Sequence, residues 1–211
     1  MTNLVIAESE IELIPDSIAS HPSVRASSRK RNKKPTECLL ESSLHYAAMR
    51  SLQDGGRRGR ADIVHFCLLL ALDSVPSREG RLRTYVHTRG DTVMEFSPDV
   101  RLPKNYNRFQ GLMESALTGG SVVSEGRELV RVSSESLKSL LRRLGGSNII
   151  LTEKGKQLTD SSLLGGANLV VGGFPHGGFQ SDLDGIEFEE YSLYHERLMA
   201  WTAVSMVIAR I

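Results

Sequence analysis

Apolar residues are spaced differently along this chain, and each spacing predicts an element. Asn3 to Leu13 carries Val5, Ile6, Ile11 and Leu13 in loose alternation and reads as a strand. Pro15-Asp16-Ser17 reads as a helix start, with the helix running to the basic stretch RKRNKKP. Cys38 to Leu40 is a short apolar strand. Tyr46, Met49 and Leu52, three apart, predict a helix that ends at Gly55-Gly56. Asp62 fits an N-cap before the nearly continuous apolar run Ile63 to Leu72, which suits a buried helix or a buried strand.

Pro76 and Gly80 interrupt the pattern. RLRTYVHT and TVMEFSP, joined at Arg89-Gly90-Asp91, predict a β-hairpin. Asn107 to Leu117 is helical, with Phe109, Leu112, Met113 and Leu117 on one side, and Gly119 to Gly126 reads as a loop. Then follow a strand at Glu128 to Val132, a helix at Ser134 to Leu144, and strands at Asn148 to Thr152 and Ala167 to Val171. An apolar helix spans Leu198 to Ile211. Strands alternating with helices predict an α/β fold with a largely parallel sheet.

A chain of 211 residues, 40% hydrophobic and 24% charged, has the size and balance of one globular core. No apolar run reaches the ~18 residues of a membrane-spanning helix. The acidic N-terminus lacks a signal-peptide pattern, so a cytoplasmic protein is expected. Two cysteines are too few for a disulfide framework, and six scattered histidines include no pair at ligand spacing, so no metal is expected.

Net charge is +1, yet the basic residues cluster. Arg25, Arg29, Lys30, Arg31, Lys33 and Lys34 form one run, Arg57, Arg58 and Arg60 a second, and Arg101, Lys104 and Arg108 a third. Acidic residues gather in SDLDGIEFEEY. One basic run alone is also what a solvated face looks like; three point to a local positive field. NLVVGGFPHGGF, from Asn168, runs a buried strand into four glycines, where open α/β sheets bind ligands and backbone can approach closely. It lacks both the dinucleotide and the phosphate-loop fingerprints.

In order along the chain stand HPSVR at His21, LLESSLHYAAM at Leu39, RRGRADIVH at Arg57, LALDS at Leu70, RLPKNYNRFQGLME at Arg101, VVGGFPHGGF at Val170 and YSLYHERLMAWTA at Tyr191. On these motifs the sequence resembles the Nep/Emg family of ribosome-biogenesis methyltransferases, a branch of the SPOUT superfamily. The resemblance implies one SPOUT-type trefoil-knotted α/β domain over 1–211. It carries a β-hairpin region at about 75–100 and a knot and cofactor region at about 160–211. It implies methylation of N1 of a pseudouridine in small-subunit ribosomal RNA with S-adenosyl-L-methionine, by a homodimer. Two positions depart from the family pattern: Ala61 where proline is usual, and LYHERLMA from Leu193.

Carried over by position, Arg60 and Asp62 are the catalytic pair, with Arg60 meeting the target nucleotide and Asp62 orienting it. Arg60, Arg101, Lys104 and Arg108 contact RNA. Gly172, Gly177, Leu193, Tyr194, His195, Glu196, Arg197 and Leu198 hold the cofactor. The arginines of GGRRGR then form an RNA-facing rim, anchored by the apolar segment behind them. The competing expectation is an RNA-binding assembly factor that holds the cofactor without turning it over.

Overall fold

The computed structural model describes residues 1–211. Eight strands make one sheet in the order β4-β5-β3-β2-β1-β7-β6-β8. β1 (Thr2–Ser9) lies inside it, parallel to β2 (Leu82–Thr88) on one side and to β7 (Asn168–Gly172) on the other. β6 (Asn148–Gln157) pairs parallel with β7 and with β8 (Glu189–Ser192). β3 (Thr92–Phe96), β5 (Arg127–Ser134) and β4 (Ser121–Ser124) extend the other edge antiparallel.

Helices cover both faces, which is why Leu4–Ala7 of β1 and Leu169–Val171 of β7 are continuously apolar instead of alternating. Leu4, Ile6, Leu169 and Val171 point into a core built with α3 (Ala61–Leu72), α5 (Tyr106–Gly119) and α7 (Ala200–Ile208). Val5, Ala7 and Val170 point the opposite way, against Leu137, Leu140 and Leu141 of α6 (Leu137–Leu144). A smaller core joins α1 (Pro22–Lys30) and α2 (Ser42–Met49) through Val24, Ala48 and Met49. The turn α4 (Val75–Arg78) starts on the Ser74 side-chain cap.

Several expectations change. The first strand ends at Ser9, not Leu13: Glu8 takes φ 48° and the register against β2 slips between Ile6 and Ser9. Cys38 to Leu40 contributes one bridge, Leu13 to Leu39, instead of a strand. The helix expected from Pro15 is a short 3-10 turn at Asp16–Ile18, then α1. The break falls at His21, whose Nδ1 accepts the Ser23 N–H at 3.2 Å, with Pro22 at the first helical position. On α2, Met49 is buried and Tyr46 faces solvent, so the three-apart pattern did not mark the buried side.

The segment expected as a loop at Gly119 to Gly126 holds β4 and a hairpin turn. Glu125 (φ 51°) and Gly126 (φ 75°) are both left-handed, the backbone that joins tightly twisted strands in two residues. Strand β8 was not anticipated. The run from Ile63 is a helix, packed against β1 and α7. Its N-cap is Arg60, and Asp62 sits one residue inside the first turn. Ala61 fills the first helical position, where an N–H has no helical partner in any case, so the helix starts there without proline.

Candidate active site

A cleft of about 860 Å³ opens at the carboxyl ends of β6 and β7, within the size range of small-molecule sites. One wall is the glycine segment after β7, including Gly172, Phe174, Pro175 and Gly177. The facing wall is the segment from Ser192 to Ala200, with Trp201 behind it. Leu151 to Lys154 of β6 form the floor, and Arg60 and Ile63 close one side.

The glycines are required by shape. A Cβ on Gly172 would lie 2.6 Å from the Phe174 ring, and one on Gly173 2.8 Å from the Ser9 Cα. Gly177 has φ 86°. Gly173 is stitched to the end of β1 from both sides: its N–H donates to Ala7 O at 2.7 Å, and its carbonyl accepts from Glu10 N–H at 3.2 Å.

Of the eight residues expected to hold a cofactor, Gly172, Gly177, Leu193, Tyr194, Glu196, Arg197 and Leu198 line this cleft. His195 does not line it; its ring lies against Tyr194 and faces solvent. Sequence reasoning missed Leu151 to Lys154, Phe174 and Trp201. Thr152 Oγ1 is buried at the floor with no hydrogen-bond partner. An orphaned hydroxyl between an apolar wall and exposed backbone suits a ligand with a flat ring and polar edges. S-adenosylmethionine has that chemistry.

The three arginines of GGRRGR do three different things, which corrects the expected rim. Arg57 is buried: Nε donates to Glu10 Oε1 at 2.6 Å, Nη2 to Glu8 Oε2 at 3.0 Å and Nη1 to Gly178 O at 2.8 Å. Its Cζ lies 3.9 Å from the Phe174 ring centre. Arg58 grips both oxygens of Glu12, at 2.7 and 2.6 Å. Arg60 remains half-exposed at the cleft, and grips both oxygens of Asp62 at 2.9 and 2.8 Å. Donating both hydrogen bonds to the Asp62 carboxylate raises the Arg60 pKa further, so its charge is fixed.

Arg101, Lys104 and Arg108 are all exposed. Helix α5 starts at Tyr106 on an Asn105 cap, so Lys104 lies outside it and shares no helical face with Arg108. The loop is tied down next to Arg60. The Pro103 carbonyl lies 2.8 Å from His65 Nε2 on α3. Tyr106 donates its hydroxyl to the buried Glu41, which also accepts from Gln110 at 3.0 Å. Burial pushes the Glu41 carboxyl above its ordinary value and, together with Glu41 itself, pushes Tyr106 far up, so the phenol stays protonated. Tyr106 is therefore held inward, and Phe109 is core.

The first basic run is likewise divided. Arg31 and Lys33 converge on Glu114, whose carboxylate also accepts the Leu39 N–H at 2.9 Å. Arg25, Arg29 and Lys30 stay exposed on α1.

An α/β sheet whose strand ends open onto a glycine-walled cleft, with a fixed cation at its mouth, has the layout of a group-transfer enzyme for an extended, polar-edged ligand. Comparison with known proteins sharpens this. The EMG1/NEP1 methyltransferase family matches residues 4–211, and the chain belongs to that family. The ribosomal RNA small subunit methyltransferase Nep1 of Thermococcus kodakarensis is 49% identical, over 99% of this chain and 96% of that protein. The protein of the same name from Pyrococcus furiosus is 47% identical, over 98% of this chain and 94% of its own length. A crystal structure of Archaeoglobus fulgidus Nep1 bound to S-adenosylhomocysteine superposes with a TM-score of 0.91 at 38% identity. It covers 100% of this chain and 97% of the other.

Proposed function

We propose that this protein methylates N1 of a pseudouridine in small-subunit ribosomal RNA. The observation that carries the reading is that Arg60 lines the same cleft as Gly172, Gly177, Leu193, Tyr194, Glu196, Arg197 and Leu198. One concavity can then hold methyl donor and target base together. Gly172, Gly177, Thr152 and the Leu193–Leu198 segment hold the donor through backbone groups, an orphaned hydroxyl and apolar contact.

Bound S-adenosylmethionine supplies an electrophilic methyl group. The chain supplies placement and field. The Arg60 guanidinium, its plane fixed by Asp62, faces the base and stabilises the negative charge that develops as the N1 proton departs to solvent. The target base leaves its stack to reach the cleft. Arg101, Lys104 and Arg108 hold backbone phosphates beside it. Tyr106, held by Glu41, keeps that loop in register with Arg60.

The order β1-β7-β6-β8 supports a knotted tail: after β6 the chain pairs inside it as β7, then returns to its far side as β8. Such threading is a rare departure from un-knotted connections. A second copy of the chain fits the exposed apolar stripe of Phe66, Leu70 and Met199, where Phe66 packs 5.2 Å from Trp201. The buried, unpaired Cys38 and Cys67 suit the reducing cytoplasm. No helix is long and apolar enough to cross a membrane.

Methyl transfer from labelled donor into a small-subunit RNA stem-loop tests the reading. Label is expected in the pseudouridine-containing loop and not in its uridine twin. Cofactor uptake without transfer would favour the assembly-factor role instead.

A further inference from the structure

Arg57 lies outside the chemistry just described, and yet its buried guanidinium bonds three different residues and stacks on a fourth. We propose that Arg57, Glu8 and Glu10 form an internal clasp that holds the 174–181 segment in its ligand-binding shape, making them positioning residues for the methyl donor. The proposal rests on the cleft being the donor site.

Three observations carry it. First, the clasp ties the glycine wall to the end of β1 and to the loop that carries Arg57. Glu8 accepts the Gln180 N–H at 2.8 Å and the Ser181 N–H at 2.7 Å, and on its other oxygen the Arg57 Nη2 at 3.0 Å. Arg57 in turn donates to Gly178 O and stacks on Phe174, the ring packed against Gly172. Segment 174–181 is otherwise irregular, with its glycines open to solvent, so these bonds hold its shape. Second, the cluster is deep inside, with Arg57, Glu8 and Glu10 side chains 6%, 4% and 0% exposed. Buried ion pairs are poor stabilisers beside apolar packing, so specifying one loop conformation accounts for them better than stability does.

Third, Gly177 sits directly over the guanidinium. A Cβ there would lie 3.1 Å from Arg57 Nη1. The same strand end serves the reacting side: Glu10 binds Arg57 Nε by its carboxylate and the Arg60 N–H by its carbonyl at 2.8 Å. Cofactor wall and catalytic arginine therefore share one anchor, the Glu8–Glu10 segment whose left-handed Glu8 turns both carboxylates inward.

The test uses the single tryptophan, Trp201, which lines the cleft, as a fluorescence reporter for S-adenosylhomocysteine titrated into the full chain. Every group facing Glu8 is a donor, so Glu8→Gln places an NH2 against one of them. Glu8→Gln and Glu10→Gln are each expected to weaken binding by about tenfold or more, because the loop's ordering must then be supplied by the ligand. At saturating donor, kcat of Glu8→Gln should stay within about twofold of wild type while the donor KM rises. Amide exchange at 176–181 should quicken while that of β1 and β7 does not. Arg58→Lys, equally near but outside the clasp, should bind as wild type. If neither acid variant folds, Arg57→Lys keeps the charge and carries the same expectation.

Wild-type affinity in the acid variants, or equal weakening in Arg58→Lys, would overturn the clasp. A wild-type protein that binds no ligand, or a Leu198→Arg variant that binds it normally, would overturn the donor-site reading and the clasp with it.

Discussion

Arg60 and Asp62 are two residues apart and still meet side by side, with two hydrogen bonds of 2.9 and 2.8 Å. Residues so spaced do not face each other within a helix. They meet because Arg60, at φ −118° and ψ 49°, is still outside the helix that Asp62 has entered. Gly59 sets that backbone: at φ 68° it lies so close to the Ser42 N–H that a Cβ would be 2.9 Å away. Arg60→Ala is expected to lower kcat by roughly 10²–10³, the usual loss of a charge-stabilising group, with cofactor affinity retained. Asp62→Ala should lose less, since the cation survives and only its aim is lost. Single-turnover transfer to pseudouridine RNA measures both.

The Tyr106 hydroxyl and Glu41 form the other fixed point near the mouth of the site. Tyr106→Phe leaves the buried carboxylate with Gln110 as its remaining side-chain donor. A loss of about 1–3 kcal/mol in unfolding free energy is expected from that deficit. Chemical denaturation measures it, and RNA affinity should fall with it because the Arg101–Arg108 loop loosens.

Arg101, Lys104 and Arg108 have no ion-pair partner within the molecule. If each neutralises one phosphate, replacing any one by alanine lowers the slope of log K against log salt by about 0.7–0.9. Filter binding at several salt concentrations reads it. Arg31→Ala should instead leave the slope unchanged and lower stability, because its guanidinium holds Glu114.

Two histidines set an acid limit on stability. His45 Nδ1 accepts the Glu41 N–H, so its Nε2–H donates to Ser27; His87 Nδ1 accepts the Glu8 N–H, so its Nε2–H donates to Asp91. Both are neutral, and burial holds both pKa values below 6.5. A depressed histidine contributes stability above its unfolded value that is lost as pH falls. Unfolding free energy should therefore decline below pH 6.5, by up to about 1.4 kcal/mol per unit for each ring. Burial raises the Glu10 and Glu41 carboxyls, which act oppositely, favouring the folded state as pH falls toward 4.5. His87→Gln should flatten the decline measured by urea titration at pH 7.5, 6.5 and 5.5.

Periodicity and composition made most long elements legible: β1, β2–β3, α5, β7 and α7 carry readable apolar spacing, whereas the continuous apolar run of α3 marked a buried element but left helix or strand open. They failed where local chemistry decides. A four-residue strand with solvated faces, SVVS, has too little pattern to stand out beside Glu125-Gly126. β8 is polar, EEYS, and pairs along a sheet edge. The cleft's outline was visible in the glycines and in the resemblance of Leu193 to Leu198, but the β6 floor was not, because Thr152 looks like any strand threonine. The arginine cluster misled for a different reason. Adjacent cations share a sequence signature whether solvated or paired, and the partners of Arg57 and Arg58 lie 47 and 46 residues away.

The claim on which the rest depends is that one cleft receives the methyl donor within reach of Arg60. A crystal structure of this protein with S-adenosylhomocysteine tests it most directly. The account predicts ligand between Gly172–Gly178 and Leu193–Ala200, over Thr152, with Arg60 at the open side. Ligand bound elsewhere, such as the polar hollow between Glu95, Arg131 and Arg143, would contradict it.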